Sequence, residues 1–348
     1  MKTITIIGSG MMGSALAFPA RENGNEVRLV GTHLDREIID ACQRTNRHPK
    51  FDRDFPDGLS FYQIEDVDAA IEGADFVIGG VSSFGVDWFG QVILPRIPQE
   101  TPIITVTKGL QDYEDGSLVC YPEVWRRMLA KRGLTRKLNA IGGPCTSYEL
   151  VFHDQTEVAF CGEDLDTLRM IKEAMATDYY HVSLSTDVMG IESAVALKNA
   201  YALGVALTVG CNQRLHGVDS ALHFNSQAAV FGEATREMAR LLDELDAYSL
   251  DNLATGVGDL YVTVYGGRTR LVGILLGRGL TIDEALEELK GVTLESLIVA
   301  RRVAAAFRVR ASKGELDPAD YPLLFHIDDI ISRGAAVDIP WEAFTFER

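Results

Sequence analysis

The sequence predicts an α/β fold: an N-terminal domain built on a doubly wound, mostly parallel sheet, followed by a C-terminal all-α domain. Three observations carry this. A β-branched apolar run, Lys2 to Ile7, breaks at Gly8-Ser9-Gly10-Met11-Met12-Gly13 and continues as a helical pattern. Short apolar runs then alternate with helical patterns, the alternation that builds a parallel sheet. From about Thr186 strand signals stop and only helical periodicity remains. The expected division is residues 1–185 for the sheet domain and 186–348 for the helical one.

The first element sets the function class. Strand, GxGxxG, helix is the context a dinucleotide-binding turn requires, and it makes the sheet domain Rossmann-like. Gly8 allows the tight turn, Gly10 lets backbone approach a pyrophosphate, and Gly13 lets helix and strand pack closely. Exposed N–H groups at the helix start hold the anion. Pro19 is expected to kink that helix. A second strand is expected at Glu26 to Val30. Its end carries Gly31-Thr32-His33-Leu34-Asp35-Arg36 where an NAD-type fold places an acid for the ribose. Asp35 comes late, and His33 or Arg36 could meet a 2′-phosphate, so NAD and NADP both stay open.

Further strands are expected at Ala74 to Gly80, Pro102 to Thr107, Leu138 to Ile141, Glu157 to Cys161 and Tyr180 to Leu184. Helices are expected between them at Asp87 to Ile97, Ser117 to Lys131 and Leu165 to Ala176. The helical half should comprise Gly190 to Gly210, Ala221 to Tyr248, Arg268 to Leu276, Ile282 to Leu289, Leu294 to Phe307 and Leu323 to Ser332.

Composition excludes several classes. The formal charge of −17 over 348 residues argues against nucleic acid as a partner. No apolar run reaches the roughly eighteen residues of a membrane span, so stable membrane insertion is not expected. The direct entry into a strand leaves no signal peptide, and five scattered cysteines without a CxxC pair suit reduced thiols. A cytoplasmic location is therefore expected. His216, Asp219 and His223 could share a helical face, but no further ligand cluster accompanies them, so no metal is expected.

One stretch of the helical half stands out. Ile191, Ala194, Val195, Lys198, Tyr201, Ala202 and Val205 fall on one stripe, and a lysine in an apolar stripe is costly to bury. Either it snorkels to water or its cation serves a reaction. Lys108 follows a strand ending, where ligands of open α/β sheets bind. Asp259 follows Gly258 at an apparent helix start and reads as an N-cap, with Thr263 one turn on. Gly266-Gly267-Arg268-Thr269-Arg270 is a basic turn before a helix, suited to an anion.

Taken in order, GSGMMGSALA, Gly31-Thr32-His33, Thr107-Lys108-Gly109-Leu110, Gly143-Pro144 with Glu149, Leu197-Lys198-Asn199, Gly258-Asp259-Leu260 and Gly266-Gly267-Arg268 resemble the NAD(P)-dependent glycerol-3-phosphate dehydrogenase family over nearly the whole chain. The resemblance implies reduction of dihydroxyacetone phosphate with Lys198 as acid/base, Lys108 as a second active-site cation and Asp259 bonded to the lysine. It implies substrate contacts from Asn199, Thr263, Arg268 and Thr269, with Arg268 on the phosphate. It implies NAD or NADP held by Gly8, Ser9, Gly10, Met11, Met12, Gly13, His33, Lys108, Gly143, Ser147, Arg268 and Lys290, and a homodimer. The nicotinamide would lie between Lys108 and the Gly143-Pro144 loop. The chain departs from the family at Thr269, where asparagine is usual, at Cys145, at Lys290, and at Gln227, where a basic residue is common. Two rivals follow: a sister dehydrogenase of another phosphorylated polyol or a 2-keto acid, ketopantoate-reductase-like, and a non-catalytic NAD(P)-binding regulatory protein.

Overall fold

The computed structural model describes residues 1–266, 268–290 and 294–347. Gly267 of the basic turn and Arg348 at the end of the expected second domain lie outside the described residues.

The chain separates into two compact units: residues 1–108 with 120–192, and residues 109–119 with 193–348. The single cut expected near Ser185 is thus replaced by a cut at Glu192 and an earlier excursion of residues 109–119 into the second unit. That excursion is a small strand pair, which gives the otherwise helical unit a little β structure.

Among the described residues ten strands are formed: β1 (Thr3–Ile7), β2 (Glu26–Val30), β3 (Leu59–Tyr62), β4 (Phe76–Gly79), β5 (Ile103–Thr105), β6 (Leu110–Asp112), β7 (Leu118–Cys120), β8 (Leu138–Gly142), β9 (Thr156–Cys161) and β10 (Tyr180–Ser185). Eight build the sheet of the first unit, in the order β10-β9-β8-β5-β4-β1-β2-β3, and β6 pairs with β7. Within the eight-stranded sheet, neighbours are parallel except β8 and β9. Strand order reverses at β1, which lies between β4 and β2, and this switch point is where open α/β sheets bind ligands. The core beneath it joins Ile4, Ile6, Val27, Leu29, Phe76 and Ile78 to Leu16 and Phe18 of the first helix.

The structure corrects three local expectations. β3 was not foreseen: its LSFY sequence is only half buried, because an edge strand pairs on one side only. The helix expected from Ser117 starts as β7 and becomes helical only at Tyr121–Ala130, with Pro122 in the first turn, where its missing N–H costs nothing. The helix expected over Asp87 to Ile97 divides into a short α turn, a wider π turn at Phe89–Ile93 and a tight 3₁₀ turn at Leu94–Arg96. Pro95 opens that last turn and removes an N–H from the ladder. The helix Met11–Glu22 runs past Pro19 without a break.

The second unit is organised on the helix Val188–His216. By length and composition this helix could cross a membrane, which corrects the reading of apolar runs. However, 83% of its most apolar window is buried inside the protein, as in a core helix. It carries no single stripe: Leu197, Ala200, Leu203 and Leu207 are buried along with Val195, Tyr201 and Val205. Around it lie Phe224–Glu244, Leu250–Gly266, Arg268–Arg278, Ile282–Glu288, Glu295–Ser312 and Pro322–Arg333. Glycines let two of them approach closely. A Cβ at Gly277 would stand 2.2 Å from the Leu207 carbonyl oxygen, and one at Gly210 would stand 2.1 Å from that of Ile274. At Gly256 a Cβ would stand 2.8 Å from that of Ala194.

Candidate active site

The glycine turn of the first unit has the tight turn and the close helix packing that its sequence implied at Gly8 and Gly13. Gly8 has φ +113°, and a side chain there would meet the Gly80 backbone at 2.7 Å, just past β4. A Cβ on Gly13 would stand 2.1 Å from the Gly8 carbonyl oxygen. At Gly10 the nearest atom would be 4.0 Å away, so its missing side chain leaves space rather than relieving a clash. The helix starts at Met11 with extended backbone at Gly10 and no side-chain cap, so its first N–H groups have no partner within the helix. The Ser9 hydroxyl is buried and, among the described residues, lacks a hydrogen-bond partner. An open cradle, uncapped N–H groups and an orphaned hydroxyl fit a dinucleotide phosphate.

The groups after β2 divide the work. Asp35 Oδ2 accepts from Ser9 N at 3.3 Å, Thr32 N at 2.9 Å and Thr32 Oγ1 at 2.8 Å, so this acid braces the turn. His48 Nε2 lies 3.1 Å from the Ser9 carbonyl oxygen, and burial lowers its pKa, favouring the neutral ring. His33 is exposed, its ring 5.3 Å from that of Trp88. Arg36 is exposed and paired with Glu65. Gly80 and His48 went unread in the sequence. The Gly79-Gly80 doublet at a strand end was the available signal for the first; a lone histidine gave none for the second.

Lys108 and Gly143 follow the neighbouring strands β5 and β8, and Lys108 Nζ donates to the Gly143 carbonyl oxygen at 3.2 Å. The expected pair of nicotinamide neighbours is therefore in direct contact. Ser147 is half-buried and opens the short helix Ser147–Val151, where Thr146 Oγ1 donates to Glu149 at 2.6 Å. Met11 and Met12 pack on the core and are half-buried.

In the second unit the close approach at Gly256 sets the register of the reactive pair. Asp259 lies three residues beyond Gly256 and Lys198 four beyond Ala194, so both return to the same faces. Lys198 Nζ donates to Asp259 Oδ1 across 61 residues of sequence. The lysine side chain is 12% exposed and the aspartate fully buried. Lys198 therefore does not snorkel to water. Asp259 is not an N-cap either: it sits inside the helix Leu250–Gly266. Gly258 imitates a helix start in sequence, but this helix uses glycine for close packing. Thr263 is buried on the same face and donates to the Asp259 carbonyl oxygen at 2.7 Å. Asn199 is half-buried beside Lys198.

Of the expected basic turn, Gly266 ends the helix Leu250–Gly266, and Arg268, Thr269 and Arg270 already lie in the helix Arg268–Arg278. Arg270 is spent on the Val264 carbonyl oxygen at 2.9 Å, so it caps the preceding helix. Arg268 is exposed at the first helical position and Thr269 is buried behind it. Lys290 stands on the surface, 3.3 Å from Glu287. His216 and His223 have their rings 5.3 Å apart.

Sequence models for the NAD-dependent glycerol-3-phosphate dehydrogenase N-terminus and C-terminus match residues 3–167 and 187–341. A curated relative from Archaeoglobus fulgidus, named NADP(+)-dependent glycerol-3-phosphate dehydrogenase, is 33% identical over 347 residues and spans 99% of each chain. The crystal structure of glycerol-3-phosphate dehydrogenase from Coxiella burnetii superposes with a TM-score of 0.78 at 24% identity, covering 99% of this chain and 97% of that one. A ketopantoate reductase from Ralstonia eutropha shares the fold more loosely, with a TM-score of 0.55 at 15% identity over 96% and 99% of the two chains. The glycine turn, the buried Lys198–Asp259 pair and the two matched halves agree, and the chain belongs to the NAD-dependent glycerol-3-phosphate dehydrogenase family.

Proposed function

We propose that this protein is an NAD(P)-dependent sn-glycerol-3-phosphate dehydrogenase, interconverting dihydroxyacetone phosphate and glycerol 3-phosphate. The observation that carries the reading is the buried Lys198–Asp259 pair. Two buried charges cost desolvation that an apolar pair avoids, so the pair is weak as a stabilising device and strong as a chemical one.

The bound nicotinamide supplies or accepts the hydride. The chain's own residues do the rest. Reducing the ketone creates alkoxide character on its oxygen, which an ammonium stabilises and protonates; Lys198 has that role. Asp259 keeps Lys198 in place, and in the oxidative direction the neutral amine takes the proton back. Asn199 and Thr263 hold substrate hydroxyls. Arg268 and the N–H groups of its helix receive the phosphate, with Thr269 offering one further hydroxyl. Gly8 to Gly13, with Ser9, Met11 and Met12, cradle the pyrophosphate. Lys108 and Gly143 stand by the nicotinamide, and Ser147, His33 and Lys290 complete the cofactor contacts. Cofactor roles fall mainly in residues 1–108 with 120–192, and substrate roles in residues 109–119 with 193–348.

The same reading makes the protein a cytoplasmic homodimer of glycerophospholipid metabolism; all five cysteines are free, which suits a reducing compartment. The ketopantoate-reductase-like reading is weaker, because its support is a looser likeness of fold alone. The regulatory reading leaves the buried pair without a purpose. The test is a steady-state assay of dihydroxyacetone phosphate with NADH and NADPH separately. Turnover with at least one of them is expected, and binding of both without turnover would overturn the reading.

A further inference from the structure

Glu192 is fully enclosed in the first unit, on the opening turns of the helix Val188–His216. Neither of its carboxyl oxygens has a hydrogen-bond partner among the described residues. Leaving a buried polar group unsatisfied is costly, so such a group calls for an explanation. The contrast with other buried acids is sharp. Glu237 accepts from Leu323 N at 2.6 Å and Leu324 N at 2.9 Å, and so caps a helix. Asp259 holds Lys198. Glu192 holds no backbone in place.

The titratable groups that act on it are the Lys108 ammonium and the thiols of Cys120 and Cys161. Burial pushes the Cys120 thiol up to about 12 and that of Cys161 well above its ordinary value, so both stay neutral. Among these groups Lys108 alone favours the ionised form of Glu192. Burial outweighs it and pushes the Glu192 carboxyl up to about 8.

We propose that Glu192 is a positioning residue for Lys108, an enclosed carboxyl whose ionisation sets how much positive charge Lys108 offers to a bound ligand. This deepens the reading of Lys108 as an active-site cation and rests on it. With Glu192 neutral, Lys108 presents its full charge to the ligand. Once Glu192 ionises, its carboxylate competes with the ligand for that charge. Binding of the phosphorylated substrate should therefore weaken above about pH 8.

Glu192→Gln keeps the shape and removes the ionisation. In the wild type, KM for dihydroxyacetone phosphate should climb roughly fivefold to tenfold between pH 7 and 9.5, and in the variant the climb should disappear. A second readout needs no turnover. At pH 9 an amine-reactive reagent, followed by peptide mass spectrometry, should label Lys108 about threefold or more faster in the variant, because the partner that favours the ammonium is gone. Unchanged labelling and an unchanged KM profile would overturn the proposal. Faster labelling in a protein that turns over no dihydroxyacetone phosphate would uphold the pairing and sink the functional reading instead. If Glu192→Gln does not fold, Lys108→Met decides. The infrared titration of buried carboxyls should then move one component, Glu192, to higher pH and leave that of Glu237 in place. No movement would refute the coupling.

Discussion

The Gly8–Gly13 turn and the Lys198–Asp259 pair handle charge in opposite ways. The turn offers consecutive backbone N–H groups and relies on residues that lack side chains. The pair relies on two side chains 61 residues apart, brought together by helix packing. The first is local and fails through a single added methyl. The second is non-local and fails through loss of either partner. Local backbone sites are therefore intolerant of bulk, and buried side-chain sites are intolerant of imbalance.

The sharpest test of this contrast lies within the turn. Gly13→Ala places a Cβ 2.1 Å from the Gly8 carbonyl oxygen and should unfold the first unit or lower its melting temperature severely. Gly10→Val meets no backbone within that range, so it should fold and lose cofactor binding instead. Calorimetry with an NADH fluorescence titration separates the two. Equal damage to folding by both would mean that the turn is only structural.

Imbalance in the pair should cost next most. Lys198→Ala should lower turnover by roughly a hundredfold or more while leaving NADH affinity near normal. It also leaves Asp259 as an uncompensated buried charge, with an expected stability loss of about 3–5 kcal/mol. Near-normal turnover in chemical-denaturation-checked, folded protein would remove Lys198 from the mechanism.

Arg268→Lys probes a site between the two types, an exposed side chain on a helix N-terminus. Keeping the charge but losing the fork should weaken dihydroxyacetone phosphate binding about tenfold to a hundredfold. Dihydroxyacetone, which lacks the phosphate, should be turned over poorly by wild type and hardly affected by the change. An equal effect on both substrates would show that Arg268 does not read the phosphate.

The smallest effect concerns the structural acid. Burial pushes Glu237 up to about 8 despite its two backbone donors. The unfolded chain releases this proton at about 4.5, so the folded state holds more protons between the two values. Its contribution to stability therefore falls as pH rises from about 4.5 to 8 and levels off above, by at most about 5 kcal/mol. Glu237→Gln should flatten this part of the stability curve in denaturant titrations, and an unaltered slope would contradict the assignment.

The sequence by itself determined what contiguous residues can determine. A β-branched run before GxGxxG forces strand, tight turn and helix, because the steric limits of the backbone act over a few residues. The alternation that followed was enough for the parallel sheet and for most strand bounds. Elements that needed no strong local pattern were not legible: β3 is an edge strand and so lacks two apolar faces. Asp259 looked like a cap because Gly258 precedes it, yet its place was decided by Gly256 packing on Ala194. Likewise Lys198 was visible as an anomaly, but its burial, its partner and the all-round apolar character of its helix belong to the tertiary structure. The same holds for Glu192, an ordinary helical glutamate in sequence whose isolation from every hydrogen-bond donor among the described residues arises only when the core closes around it. Backbone preference is short-ranged and can be read along the chain. Desolvation and charge pairing depend on which distant side chains arrive, and only the folded packing decides that.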